Sequence, residues 1–256
     1  MKKYAIIAAS FGTVYKDTCE NTIGNIENAL KNAFPAVPVF RAFTSRMIVD
    51  TVKKKGEFEI DLLSDVIGKL KNDGYTDIFV QPTHIMNGPD YESVKNEALS
   101  FEGVTVGIPL LNNEADCTDL ALVLKEELGC YNDGSTAIVL AGHGADQPYN
   151  DIYTQLEDKI GRENWFVGVL HGEPGVHTIL EKVKQTGIKK VCLASLMISF
   201  GGHARKNVMG DNNSWKSAFE DAGFEVICHE KGIGEYMGVA EIIKNHALNT
   251  AFVIGK

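Results

Sequence analysis

The sequence predicts an α/β protein of two similar domains, each a parallel four-stranded sheet flanked by helices, the two related by pseudo-two-fold duplication. Three observations carry this. Short β-rich runs alternate with helix-length segments along the whole chain, the pattern of parallel βαβ units. The runs fall four to each half. The halves also echo each other in detail: "SFGT" (10–13) after the first run answers "AGHGA" (141–145), and "QPTHIMNGPDYESV" lies over "ASLMISFGGHARKNV" with Gly88 opposite Gly201 and Asp90 opposite His203.

In chain order, the first half reads as strands "AIIAAS" (5–10), "VPVFRAF" (37–43), "DIFVQPT" (77–83) and "VTVGIPL" (104–110). The segment 115–128 is helical, with Leu120, Val123, Leu124 and Leu128 at the 3.6-residue spacing of a core face. At "LGCYNDGS" (128–135), Gly129, Asn132, Asp133 and Gly134 supply turn chemistry between that helix and a new strand, so the domains are expected at 1–130 and 131–256. The second half then reads "TAIVLA" (136–141), "WFVGVL" (165–170), "KVCLASLMI" (190–198) and "EVICHE" (225–230), and closes on a helical segment at 235–248. One continuous eight-stranded sheet is the alternative arrangement of the same elements.

Composition narrows the function. A formal net charge of −9 over 256 residues argues against nucleic acid and against anionic membrane, both of which need a basic surface. The five cysteines are odd in number and form no C-x-x-C pair, which fits thiols in a reducing compartment. After Met1-Lys2-Lys3 the run "YAIIAAS" is too short for a signal segment, and no other run approaches membrane-spanning length, so a cytoplasmic protein is expected. There is no G-x-x-x-x-G-K-[ST], and "GIGEYMG" (232–238) lacks dinucleotide-fingerprint spacing, so neither ATP nor NAD is signalled. The α/β-hydrolase elbow G-x-S-x-G is missing too.

In parallel sheets ligands gather where the loops leave the strands' carboxyl ends. In the second half those loops carry "GHG" with His143, "HGEPG" with His171 and Glu173, and "GGH" with His203. His143 to Glu173 is 30 residues and Glu173 to His203 another 30, one βα unit each, so adjacent strand ends would present them side by side. Two imidazoles and a carboxylate suit a divalent first-row metal and leave coordination positions open. His171 competes with Glu173 for the middle place, and spacing favours Glu173. A lone histidine after a strand is more often a cap or loop residue, and Glu173 beside Pro174 also suits the first turn of a helix. His177, His229 and His246 do not repeat the strand-end pattern.

The same rim of the first half offers an imidazole, His84, and an acid, Asp90, with Phe11, Phe43, Met86 and Tyr91 nearby to floor a flat ligand or simply to fill the core. Arg41, Arg46, Lys53, Lys54, Lys55, Arg205 and Lys206 are candidates to meet an anionic ligand, though such charge runs usually face solvent.

With "ASFGTVYKDTCENTI", "FRAFTSRMI", "HIMNGPDYE", "GIPLL", "GHGA" and "GGHARKNVMGDNNSWKSAFEDAGF" in this order, the whole chain resembles the anaerobic cobalt chelatases, the sirohydrochlorin cobaltochelatases of cobalamin biosynthesis. These belong with the ferrochelatases to the ATP-independent class II chelatases, metal chelatases of the lyase class. The resemblance implies a chelatase-like fold whose interdomain cleft takes an octa-carboxylate tetrapyrrole and a divalent metal, with no cofactor beyond the substrate metal ion: Co2+, or Fe2+ or Ni2+ in vitro. It places the family's proton acceptor and metal ligand on His143 and further metal ligands on Glu173 and His203. A cavity acid falls on Asp90, where relatives carry Glu, and Arg46 stands where relatives carry glycine. His84, Phe11 and Met86 would then line the tetrapyrrole. Iron insertion for sirohaem and a non-catalytic tetrapyrrole or metal carrier are the alternative functions; sirohydrochlorin versus precorrin-2 and the oligomeric state, a homo-oligomer included, stay open.

Overall fold

Eight parallel strands form in a computed structural model that describes residues 2–161 and 163–251. In the first unit β1 (Tyr4–Ser10), β2 (Val39–Phe43), β3 (Asp77–Pro82) and β4 (Val104–Val106) lie in the order β2-β1-β3-β4. In the second, β5 (Thr136–Gly144), β6 (Trp165–His171), β7 (Lys190–Leu196) and β8 (Glu225–His229) lie in the order β6-β5-β7-β8. The two orders are the same pattern, first strand second in the sheet, as a duplication requires. The continuous eight-stranded sheet is not formed.

The central strands have no polar face because helices cover both sides, so β1 after Tyr4 and β5 up to Gly142 are buried throughout. Ala5, Ile7, Ala9, Ile78 and Val80 pack with Leu63, Ile67 and Leu70 of α3 (Leu63–Asn72) in the first core. Val139, Ala141, Val191 and Leu193 pack with Ile179 and Val183 of α7 (Val176–Thr186) and Phe219 of α8 (Trp215–Asp221) in the second.

Two strands are shorter than the sequence suggests, for local reasons. β2 starts at Val39 because Pro38 has no N–H to place in a ladder. β4 stops at Val106 because the Gln81 side chain takes over: its amide donates to the carbonyl of Ile108, and a Cβ on Gly107 would lie 2.5 Å from Gln81 Oε1.

The units divide at Asn112/Asn113 and Tyr236/Met237 rather than at 130/131. Helix α5 (Glu114–Leu128), capped by Asn113 and Asp116, packs on α6 (Asp151–Ile160) and so belongs to the second unit. Helix α9 (Met237–Thr250) packs on α1 (Lys16–Ala33) and returns to the first. Each unit is thus a sheet closed by a helix from the other half of the sequence. Among the described residues no helix is long and apolar enough to cross a membrane. All five cysteines are free, with Cys19, Cys117 and Cys192 buried.

Candidate metal centre

In the second sheet the chain winds outward in both directions from β5 and β7, so the loops that leave their carboxyl ends part there and open a crevice. His143 is the penultimate residue of β5, and His203 follows the loop out of β7. His171 ends β6, on the other side of β5. The three imidazoles converge: ring centroids of His143 stand 4.7 Å from His171 and 4.9 Å from His203, and one nitrogen from each ring lies within 4.8 Å of the others. A common ion at bonds of about 2.0–2.1 Å needs each ring to close in by less than about 1 Å. His143 is half-buried and the other two exposed, so the ring set is anchored on one side and open on the other.

Two hydrogen bonds orient the set. His143 Nδ1 lies 3.0 Å from the carbonyl of Gly144, which can only accept; Nδ1 therefore carries the proton and the lone pair sits on Nε2. His203 Nδ1 lies 3.2 Å from Asn207 Oδ1, four residues on, in a π-helical turn Ala204–Val208. Gly144 has φ +76°, and a Cβ there would stand 2.3 Å from the carbonyl of His171, so only glycine lets the two histidine-bearing strands approach this closely.

Glu173 is not part of this convergence. Its carboxylate accepts from the N–H of Gly175 and the hydroxyl of Thr178, both at 2.8 Å, which fixes the start of α7 and holds its carboxyl below the usual range. The register explains the difference: Gly144 pairs with His171, so His171 occupies the last rung beside His143, whereas Glu173 is already past the turn. Counting one βα unit from His143 reaches Glu173, two positions past the residue whose ring converges with His143 and His203.

Beside the histidines the second unit holds a cavity of about 660 Å³, lined by His171, His177, His203, Asn207, Asp211 and Trp215 among others. His229 instead contacts Tyr131, and His246 is buried in α9.

The first unit has its own strand-end group. Phe11 follows β1 and is 40% exposed, while Phe43 is fully buried against Phe58, a core residue rather than a ligand floor. Met86 and His84 lie half-buried in the loop after β3, and Asp90 is exposed in the first turn of α4 (Pro89–Leu99). Arg41 is committed to ion pairs with Glu20 and Glu27 and is not available to an anionic ligand.

Both ring nitrogens of His84 are shielded from water without a partner, although part of the ring is exposed. Burial pulls its pKa down to about 4, against the opposing pull of the Asp90 carboxylate. The imidazole is therefore neutral in the folded protein near neutral pH. Since the folded value lies below the unfolded one near 6.5, protonation of His84 costs no stability above pH 6.5, and stability is lost as pH falls from there towards 4. Urea unfolding at pH 7 and pH 5 should show His84→Leu losing up to about 2 kcal/mol less than the unsubstituted protein between those values. Equal losses would mean that the ring is hydrated.

Sequence reasoning ranked His171 second and did not single out Asn207 or Asn150, whose roles depend on contacts the sequence does not display. The one available signal for His171 was its place directly at the end of an apolar strand run.

A profile of the family described as "Cobalt chelatase (CbiK)" matches residues 4–252. The chain is 32% identical over 261 residues to the sirohydrochlorin cobaltochelatase of Salmonella typhimurium, covering 98% of each chain. It is 30% identical over 259 residues to the sirohydrochlorin cobaltochelatase CbiKC of Nitratidesulfovibrio vulgaris, covering 96% of this chain and 90% of the relative. Among solved structures, SirB from Bacillus subtilis with Fe3+ superposes with a TM-score of 0.61 at 15% identity, covering 98% of this chain and 96% of SirB, a likeness of fold.

Proposed function

The chain belongs to the cobalt chelatase (CbiK) family, and from that premise we infer that it is a sirohydrochlorin cobaltochelatase, an enzyme that inserts Co2+ into sirohydrochlorin in cobalamin biosynthesis. The observation that carries the reading at the level of residues is the convergence of His143, His171 and His203. Three imidazole nitrogens bind a borderline divalent ion such as Co2+ well and leave coordination positions open. An ion held this way is exchangeable, as a substrate metal must be.

Insertion replaces two pyrrole N–H protons by one M2+, so the protein has to release a cation and to accept protons. His143 serves both needs in turn. With Nδ1–H committed to the carbonyl of Gly144, only Nε2 can hold the ion or take a proton, and never both at once. Proton acceptance by His143 therefore follows departure of the ion and accounts for one of the two pyrrole protons, the other passing to water. His171 and His203 hold the ion before that step, and Asn207 keeps the His203 ring turned with Nε2 outward. Asp90 is the acid of the first unit assigned to proton handling, with His84, Phe11 and Met86 as tetrapyrrole contacts, and no cofactor beyond the substrate metal is required. The nitrogen donor set does not choose cobalt over iron by itself, so the metal is argued from the family.

The test is turnover. Purified protein given sirohydrochlorin and Co2+, without ATP, should convert many equivalents of tetrapyrrole, read as the absorbance change of the metallated ring. Conversion that stops at one equivalent per chain would indicate a carrier, and faster conversion with Fe2+ than with Co2+ would indicate sirohaem formation.

A further inference from the structure

We propose that Asn150 is a positioning residue for the metal centre: a buried amide that fixes the separation of the loops carrying His143 and His171. The inference rests on reading those histidines as the ligands of the incoming cation.

Asn150 immediately precedes α6 and is 1% exposed. Its Oδ1 accepts from the N–H of Ala145 at 2.9 Å, two residues past His143. Its Nδ2 donates to the carbonyl of His171 at 3.0 Å and to that of Glu173 at 3.3 Å. One planar group thus bonds the backbone on both sides of the gap between the β5 and β6 loops, and one of its bonds goes to the histidine residue itself.

The space around it is filled. A Cβ on Gly172 would stand 2.6 Å from both the carbonyl of Ala145 and Asn150 Nδ2. The group that fits must accept on one side and donate twice on the other. Aspartate has the same shape but would turn an oxygen towards two carbonyls; serine is too short to span the gap.

The helix behind the amide is itself fixed to the sheet. Tyr153 packs its ring on Gly142, where a Cβ would lie 2.8 Å away, and buried Glu157 accepts from the N–H of Val167 on β6 and from Lys182 on α7. Asn150 therefore refers the histidine loops to rigid elements. It does not touch the ion, and it acts through the two backbones that set the His143–His171 distance, a spacing that a metal site tolerates losing poorly.

The experiment titrates Co2+ alone into the full chain and follows the visible d–d bands. It compares the unsubstituted protein with Asn150→Asp, Asn150→Ser and His143→Ala, and records Tm without metal for each. Asn150→Asp should stay folded, bind Co2+ about 10–100-fold more weakly and shift the band positions. In turnover its KM for the metal should rise while its KM for the tetrapyrrole does not. Binding within twofold of the unsubstituted protein, with unchanged bands, in either folded Asn150 variant overturns the inference. So does failure of both variants to fold, because Asn150 would then serve the fold and not the metal centre. Should His143→Ala bind Co2+ undiminished, the ligand reading itself is wrong; loss in His143→Ala with none in Asn150→Asp removes this inference alone.

Discussion

Replacing His143 with alanine should leave a folded protein that metallates sirohydrochlorin about 10²–10⁴-fold more slowly, the range over which a positioned proton acceptor contributes. The fold should survive because the side chain is half-buried at the end of β5, outside the apolar cluster that holds the second sheet to its helices. The loss should be large because two demands fall on one atom: Nε2 helps to hold the ion and then takes a proton, while Nδ1 is committed to the carbonyl of Gly144. Far-UV circular dichroism and Tm establish folding, and single-turnover insertion with preformed substrate separates the chemical step from product release. A folded His143→Ala protein of undiminished rate would remove this histidine from the mechanism.

The second prediction separates two residues that the sequence could not. His171→Ala should weaken Co2+ binding by more than about tenfold and slow insertion accordingly, because one of three donors is gone. Glu173→Gln should bind and insert within about twofold of the unsubstituted protein. Glutamine can still accept from the N–H of Gly175 and the hydroxyl of Thr178, so the start of α7 changes little. Isothermal titration with Co2+ and steady-state insertion on both variants give the comparison. The opposite ranking would show that the Glu173 carboxylate leaves its helix and joins the ion when metal binds.

These two residues also mark where the sequence stops being informative. The strands were legible because apolar runs buried on both faces have no other home, and the site's location was legible because its histidines stand at the carboxyl ends of β5 and β6 and in the loop that leaves β7. His143 could be picked out because it stands between Gly142 and Gly144, and His203 because it directly follows Gly201 and Gly202. The choice between His171 and Glu173 turns on strand register, which depends on how β5 and β6 pair and not on the spacing of repeats along the chain. The unit boundary was hidden for a similar reason. Nothing local in "EADCTDLALVLKEEL" or "MGVAEIIKNHALNT" says that the first helix packs on α6 and the second on α1, and that exchange moves the division from 130/131 to Asn112/Asn113 and Tyr236/Met237. Asn150 was invisible because an asparagine before a helix reads as a cap; here its side chain serves two other loops.

The most direct test of the trihistidine centre is a crystal grown with Co2+, with anomalous diffraction collected on both sides of the cobalt absorption edge. We expect one strong cobalt peak bonded to nitrogens of His143, His171 and His203, with Glu173 still on the start of α7. A peak bonded to the Glu173 carboxylate in place of His171, or lying away from His143 and His203, would contradict it.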